Sequence, residues 1–336
     1  MSIYISIASY RDEMLKHTIL QALNKAKDPK GLSFGVVEQA YENERLQVSD
    51  ALRKRIQYVG VDPRESRGAC WARSLCMAMY NDEDWFFQID AHSVFDQDWD
   101  EKLINAANEC AKINPKCIVS SYPASFERKD GKIVRRMCKE TLVHIVSSKA
   151  QEFDPKHSKL KFVAMRVKRD DPIRGIHLAG GCLFTQGRFV YDVPYDPYMY
   201  FNGEEQAMAL RAFTHGYDIF HVPHLPMHHL YAERPRHWDK EITQERVVHW
   251  GEFQKRTTRR LEDLINGKDM GVYGLGRVRT VQEYIEFTGI DYFNKKLSGR
   301  ALRSAWQEEK KNDTTIPTVS EPEAQGQGQE TTEVQP

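Results

Sequence analysis

Apolar and polar positions along the chain fall into a succession of short strands and amphipathic helices. Ile3 to Ala8 is apolar and β-rich, the polar run Ser9, Tyr10, Arg11, Asp12 follows, and Leu15, Ile19 and Leu23 recur at helical spacing. That pattern predicts strand, loop, helix. Leu32 to Val37 and Ile56 to Val61 repeat the strand signal, and Ala69 to Tyr80 has helical periodicity that ends before the turn-like Asn81, Asp82, Glu83 and Asp84. Then WFFQID, residues 85 to 90, is a short apolar run that stops at an acidic residue. Strands alternating with helices imply an α/β protein with a mostly parallel sheet flanked by helices, and such sheets gather ligands beyond the carboxyl ends of their strands.

Further on, Cys117 to Tyr122 is strand-like, whereas residues from about 126 to 175 are charged and less periodic, with KDGK as a turn; they suggest an insertion near the site. Order returns with the Gly-rich LAGGCLF (178 to 184). Glu204 to Thr214 predicts a helix closed by His215-Gly216, DIFHVP another short strand, and Asp239 to Ile265 a charged helix. From about residue 311 the chain has little apolar content and is expected to be disordered. The division that follows is a catalytic domain over 1–235, a C-terminal helical extension packed on it over 236–310, and a tail over 311–336.

Composition narrows the class. With 336 residues the chain is long enough to bury a sizeable core, and 40% hydrophobic with 29% charged residues fits a water-soluble globular protein. Lys plus Arg equals Asp plus Glu at 48 each, so no bulk field draws it to nucleic acid or anionic lipid, and any polyanion must be held locally. The basic run RKDGKIVRR (128 to 136) reads as a solvated loop before it reads as a nucleic-acid patch. Six scattered cysteines without a C-x-x-C pair suggest reduced thiols. No run of about 18 apolar residues offers a membrane span, and the N-terminal apolar run is too short for a signal peptide, so a cytoplasmic location is expected.

The chemistry centres on Asp90 and His92. Two positions apart at a strand end, their side chains can project to one side, and a carboxylate with an imidazole suits Mn²⁺, or Mg²⁺, bridging the phosphates of a nucleoside diphosphate. Alone, D-x-H reads first as a capping aspartate beside a surface histidine, and only its company changes that. A second pair, His228 and His229, follows the strand-like DIFHVP and can close the shell. His229 is preferred, because His-Leu-Tyr puts Tyr231 on the same side, where it can help hold a phosphate.

At these residues the chain resembles a known family. SIASYRD (6 to 12), ESRGACWARSLCMAMY (65 to 80), WFFQIDAHSVFDQDWD (85 to 100), AGGCLF (179 to 184), VPYDPYMYFNGEEQAMALRAFTHGYDIF (193 to 220), HHLY (228 to 231) and GLGRVRTVQEYIEFTGIDYF (274 to 293) are similar to the cytoplasmic polypeptide N-acetylglucosaminyltransferases, whose eukaryotic members glycosylate hydroxyproline. The resemblance implies a GT-A fold, UDP-N-acetylglucosamine as donor, a divalent cation and retention of anomeric configuration. It does not extend over residues 126–175, so the acceptor is not carried over with it.

Within a GT-A fold, Ser9, Tyr10 and Arg11 lie where uracil and ribose bind, although a loop tyrosine packed on the sheet edge accounts for Tyr10 as well. Arg67 and Arg73 flank a Gly-containing turn entering a helix, where guanidinium groups and helix N-terminal amides can meet a pyrophosphate; solvated helix arginines are the plainer reading. Gly180 and Gly181 allow close approach of backbone to a sugar, or make a tight turn. Glu204 and Glu205 start a helix, where they cap it; the resemblance brings the pair near the sugar, with Glu204 the first choice. The rivals are a nucleotidyltransferase, a transferase acting on a glycan or modified nucleobase, and a catalytically silent sugar- or protein-binding module.

Overall fold

The computed structural model describes residues 1–147, 153, 154, 156–231 and 248–302. Along the chain run β1 (Ile3–Tyr10), α1 (Leu15–Lys25), β2 (Leu32–Gln39), α2 (Asp50–Arg53), β3 (Ile56–Val61), α3 (Ala69–Ala78), β4 (Trp85–Asp90), β5 (Ser93–Phe95) and α4 (Trp99–Ala111). There follow β6 (Cys117–Ser120), β7 (Ala124–Lys129), β8 (Lys132–Arg135), β9 (Thr141–Val146), β10 (Phe162–Val167), β11 (Ile173–Gly175) and β12 (Cys182–Gln186). The remainder is α5 (Phe189–Asp192), α6 (Glu204–Thr214), β13 (Asp218–His221), β14 (Met227–His229), α7 (Trp250–Ile265) and α8 (Val281–Thr288). The predicted tail lies outside the described residues, as do residues 232–247, where the charged helical pattern had been expected to begin.

Eight strands form one sheet in the order β11-β13-β6-β12-β4-β1-β2-β3. β4, β1, β2 and β3 run parallel, as do β6 and β13, while β12 is antiparallel between β4 and β6. The strands are nearly continuous apolar runs because helices cover both faces of the sheet. Trp85, Phe86, Phe87 and Ile89 are all buried, and α1 lays Leu15, Ile19 and Ala22 on the same core as Phe87 and Ile89. β1 extends two residues past its apolar stretch because Ser9 and Tyr10 still pair with Glu38 and Gln39 of β2.

The antiparallel β12 matters for the site. Cys182, its first residue, pairs with Ile89 near the last residue of β4, so Gly180 and Gly181 are delivered to the carboxyl edge where Asp90 emerges. A second sheet, β5-β14-β7-β8, grows from the turn after Asp90, and His229 of β14 pairs with Ser93 of β5.

The described residues between 126 and 175 form more strands than the charged composition suggests. β7 and β8 form a hairpin closed at the KDGK turn, where Asp130 and Gly131 take φ of 50° and 73°. β9 and β10 form a second hairpin, and β11 edges the main sheet. β9 is buried on both faces, and the short β7 and β8 are rich in Lys and Arg, so no regular alternation marks these strands in the sequence. Leu261, Leu264 and Ile265 of α7 and Tyr284 of α8 share a core with Phe213 of α6 and Tyr217.

Candidate active site

Asp90 ends β4, and the chain turns through Ala91 and His92 before entering β5. Thr18 of α1 locks that turn: its hydroxyl donates to the Ala91 carbonyl at 2.7 Å and accepts from the Ser93 amide at 3.0 Å. β14 brings the third residue, with the Leu230 amide donating to the His92 carbonyl at 3.1 Å. As a result, Asp90, His92 and His229 each direct one ligand atom into a space where all lie within 4.8 Å of one another. His229 Nε2 is 3.0 Å from Asp90 Oδ2 and 2.9 Å from His92 Nε2. His92 Nδ1 lies 2.7 Å from the Asp12 carboxylate, which accepts only; that nitrogen therefore carries a proton, and in the neutral ring Nε2 offers its lone pair. Two imidazole nitrogens and a carboxylate oxygen facing one another are the donor set a divalent cation of intermediate hardness takes. The Asp90 side chain keeps 27% of its surface exposed, enough for a ligand to reach it.

Beside this corner lies a chain of ionic contacts. The buried guanidinium of Arg73 from α3 donates to Asp90 Oδ1 at 2.9 Å and, through its other terminal nitrogen, to Glu204 Oε1. The Cys70 thiol donates to the second Glu204 oxygen at 2.7 Å. Gln88, fully buried in β4, donates to the Gly180 carbonyl at 2.6 Å, and the Gly180 amide donates to Glu205 Oε1 at 2.6 Å. A Cβ on Gly181 would fall 2.6 Å from Asp90 Oδ2, and one on Gly180 2.5 Å from Arg73 Nη1; only glycine lets the backbone pass this close.

Burial works against ionisation of Asp90, but the His229 hydrogen bond and the charges of Arg73 and His92 outweigh it and hold the carboxyl well below its usual range. Glu204 goes the other way: burial raises it despite Arg73. At Glu205, burial is overcome by the His177 hydrogen bond and charge and by the bonds from the Gly180 amide and Tyr122, so its carboxyl is held low.

The family described as glycosyltransferase (GlcNAc) matches residues 2–53 and 45–294, which is most of the chain. The chain belongs to that glycosyltransferase family. Its fold is similar to that of GalNAc-T7, solved with UDP, GalNAc and Mn²⁺, at a TM-score of 0.53 and 13% identity over 92% of this chain and 56% of that one. The chain thus spans little more than half the length of that protein, and the likeness is one of GT-A fold. Similar at lower TM-scores are S. aureus TarS, at 0.46 with 10% identity over 81% of this chain and 41% of that one, and its residues 1–349 in complex with UDP-GlcNAc, at 0.42 with 13% identity over 90% and 83%. No curated protein sequence matches the chain significantly.

In this family member the expected site residues fall into two groups. Asp90, His92, His229, Glu204, Glu205, Gly180, Gly181 and Arg73 meet in one cluster at the carboxyl end of β4. Arg73 does so from behind, only 5% exposed and engaged by two carboxylates, rather than from an open helix terminus. Tyr231 packs its ring 4.3 Å from that of His229, while its hydroxyl donates to the Pro123 carbonyl at 2.8 Å. Ser9 is buried at the end of β1, with Tyr10 half-buried beside it. Arg11 pairs with Glu44 at 2.7 Å, and Arg67 is exposed with its guanidinium 5.7 Å from the Trp71 ring centre. His228 faces away from His229, toward Asp96 at 3.3 Å. Asp12, Thr18, Cys70, Gln88, Tyr122 and His177 were not singled out by sequence reasoning. Only Asp12, polar and directly after the first strand, offered a local signal.

Proposed function

We propose that the chain is a divalent-metal-dependent, retaining glycosyltransferase that moves N-acetylglucosamine from UDP-N-acetylglucosamine to a hydroxyl acceptor on a polypeptide. The observation that carries this reading is the meeting of Asp90, His92 and His229, with Asp12 behind His92, on the carboxyl edge of a GT-A sheet. The family's description supports the N-acetylglucosaminyl group; the resemblance of the sequence strings supports UDP and retention, and the polypeptide acceptor, which that resemblance does not carry over, is decided by the test below.

Mn²⁺ or Mg²⁺ would be held by Asp90, His92 and His229, and when bound would neutralise the diphosphate and stabilise the departing UDP. Ser9, Tyr10 and Arg11, beyond the end of β1, take uracil and ribose. Arg67 and Tyr231 approach the diphosphate. Arg73 keeps Asp90 and Glu204 in place. Gly180 and Gly181 let the sugar approach the backbone, with Glu204 and Glu205 beside it. The acceptor oxygen bonds to C1 on the face from which UDP departs as the C1–O bond to the diphosphate breaks, and its proton passes to the departing phosphate oxygen. The catalytic unit is assigned to residues 1–235, with the C-terminal helices packed on it. Cysteines without disulfides support a cytoplasmic location; among the described residues no helix is long and apolar enough to cross a membrane.

The test is a panel of nucleotide sugars with Mn²⁺, with and without EDTA, scored for UDP release and for mass shifts in hydroxyproline peptides, glycans and nucleosides. UDP release from UDP-N-acetylglucosamine that EDTA abolishes, an α-linked product by NMR and a shifted peptide are expected. Pyrophosphate release would make the chain a nucleotidyltransferase, and acceptor shifts confined to glycans or nucleosides would replace the polypeptide.

A further inference from the structure

The two adjacent carboxylates at the start of α6 have different surroundings. Glu204 has both oxygens engaged, by Arg73 and Cys70, and its side chain is 5% exposed. Glu205 is 20% exposed. Its Oε1 accepts from the Gly180 amide, and its Oε2 accepts from the Tyr122 hydroxyl at 3.0 Å and faces His177 Nε2 at 3.3 Å. A carboxylate accepts only, so His177 Nε2 carries the proton of that bond.

Both side-chain donors are held from behind by a single ring. His144 of β9, wholly buried, donates from Nδ1 to the His177 carbonyl at 2.9 Å and accepts at Nε2 from the Tyr122 amide at 2.9 Å. Its tautomer is thereby fixed, and with it the spacing of the Tyr122 and His177 backbones. The His177 ring is clamped against Phe162 of β10, with centroids 3.6 Å apart and planes 4° from parallel. β9 and β10 both lie in the segment that sequence reasoning took as an insertion.

We infer that His177 is a positioning residue: with Tyr122, it orients the Glu205 carboxylate so that Glu205, rather than Glu204, accepts hydrogen bonds from the hydroxyls of the donor sugar. The inference rests on the reading of the chain as a UDP-N-acetylglucosamine-dependent transferase. It adds a role for the 126–175 segment, whose hairpin builds the rear wall of the sugar subsite. Sugar hydroxyls donate, and Glu205 has both the exposure and the remaining lone pair to accept. Glu204, closed in by Arg73, instead completes the frame that carries Asp90.

The experiment compares wild type, His177→Leu, His177→Gln, Tyr122→Phe and Glu205→Gln, measuring donor KM and kcat together with Mn²⁺-dependent UDP affinity by calorimetry. Removing one charge-assisted hydrogen bond is expected to raise donor KM roughly ten- to a hundred-fold in His177→Leu. Glu205→Gln is expected to follow it, with kcat less affected and UDP affinity unchanged. His177→Gln, which keeps an N–H near the Nε2 position, should recover most of the loss. Tyr122→Phe removes one oxygen without opening a cavity and should raise KM in the same direction, which keeps the test alive if His177→Leu does not fold. A normal donor KM in Glu205→Gln, or UDP affinity falling in step with KM in both His177 variants, overturns the positioning role. A wild-type protein that binds neither UDP nor UDP-N-acetylglucosamine with Mn²⁺ overturns the parent reading and this inference with it; retained UDP binding separates the two failures.

Discussion

The metal corner and the acidic pair of α6 sit side by side but are built in opposite ways. At the corner, two of three side chains come from one three-residue turn, Asp90 is partly open while His92 and His229 are buried beside it, and each is held in place by few neighbours. At the pair, the carboxylates are enclosed by α3, the loop before β12, Tyr122 and His177, and burial is offset by ion pairs and donors from each of them. A site that must admit a cation keeps one ligand, Asp90, reachable, whereas one that must aim a carboxylate surrounds it with donors. The first is sensitive to loss of a ligand atom, the second to loss of any member of the frame, because an unpaired buried charge costs far more than an exposed one.

The largest effect separating the two regions is expected from Asp90→Ala. Transfer should fall by about a thousand-fold or more, with Mn²⁺-dependent UDP affinity lost, since the ion's share of transition-state stabilisation is several kcal/mol. An active variant under saturating Mn²⁺ would remove the metal role from this residue. Next, Arg73→Met should cost about 3 to 4 kcal/mol in urea unfolding, because it leaves Glu204 buried and unpaired beside Asp90. A cost under about 1 kcal/mol, the usual value for an exposed pair, would mean that the frame is not held by this arginine.

The buried histidines behind the acidic pair provide a pH test. Burial lowers His144 well below the ordinary range and His221 to about 4, whereas the unfolded chain protonates histidine near about 6.5. Between those values the unfolded state binds more protons, so stability falls as pH drops through this window. From pH 7 to 5, His221 alone should contribute a loss of about 2 kcal/mol in urea unfolding, reduced in His221→Gln. A flat profile in the wild type would contradict the burial of these rings. An effect of about the same size, on metal binding alone, is expected at Asp12→Asn, which removes the anion behind His92 and should weaken Mn²⁺ affinity by roughly ten- to a hundred-fold while leaving unfolding nearly unchanged. Unaltered Mn²⁺ affinity would mean that His92 needs no such support.

How far each region could be read from the chain follows the same division. The strand end at Asp90, the helix at Glu204 and the D-x-H turn are set by neighbours in sequence, and the apolar runs and their breaks reveal them, whereas the last two residues of β1, Ser9 and Tyr10, join it only through pairing with β2. The frame around Glu205 left no such trace. Tyr122, His144 and His177 lie 83, 61 and 28 positions from Glu205 by number, and a buried histidine in a strand looks no different from a surface one until its partners are known. Strands of the 126–175 segment left little trace for a related reason: they are short, β9 is buried on both faces and β11 joins the edge of the main sheet only through its pairing with β13.

Local pattern by itself determined the alternation of strands and helices, the largely parallel sheet, the acidic stop at Asp90 with His92 beyond it, and the family resemblance. The tertiary structure alone decided which histidine joins them and what Arg73 touches. Successive residues of a strand point to opposite faces, so either His228 or His229 can meet the cluster. The choice falls to His229 because β14 pairs with β5 in a register that sets it opposite Ser93. That register is fixed by contacts between chain segments more than a hundred residues apart.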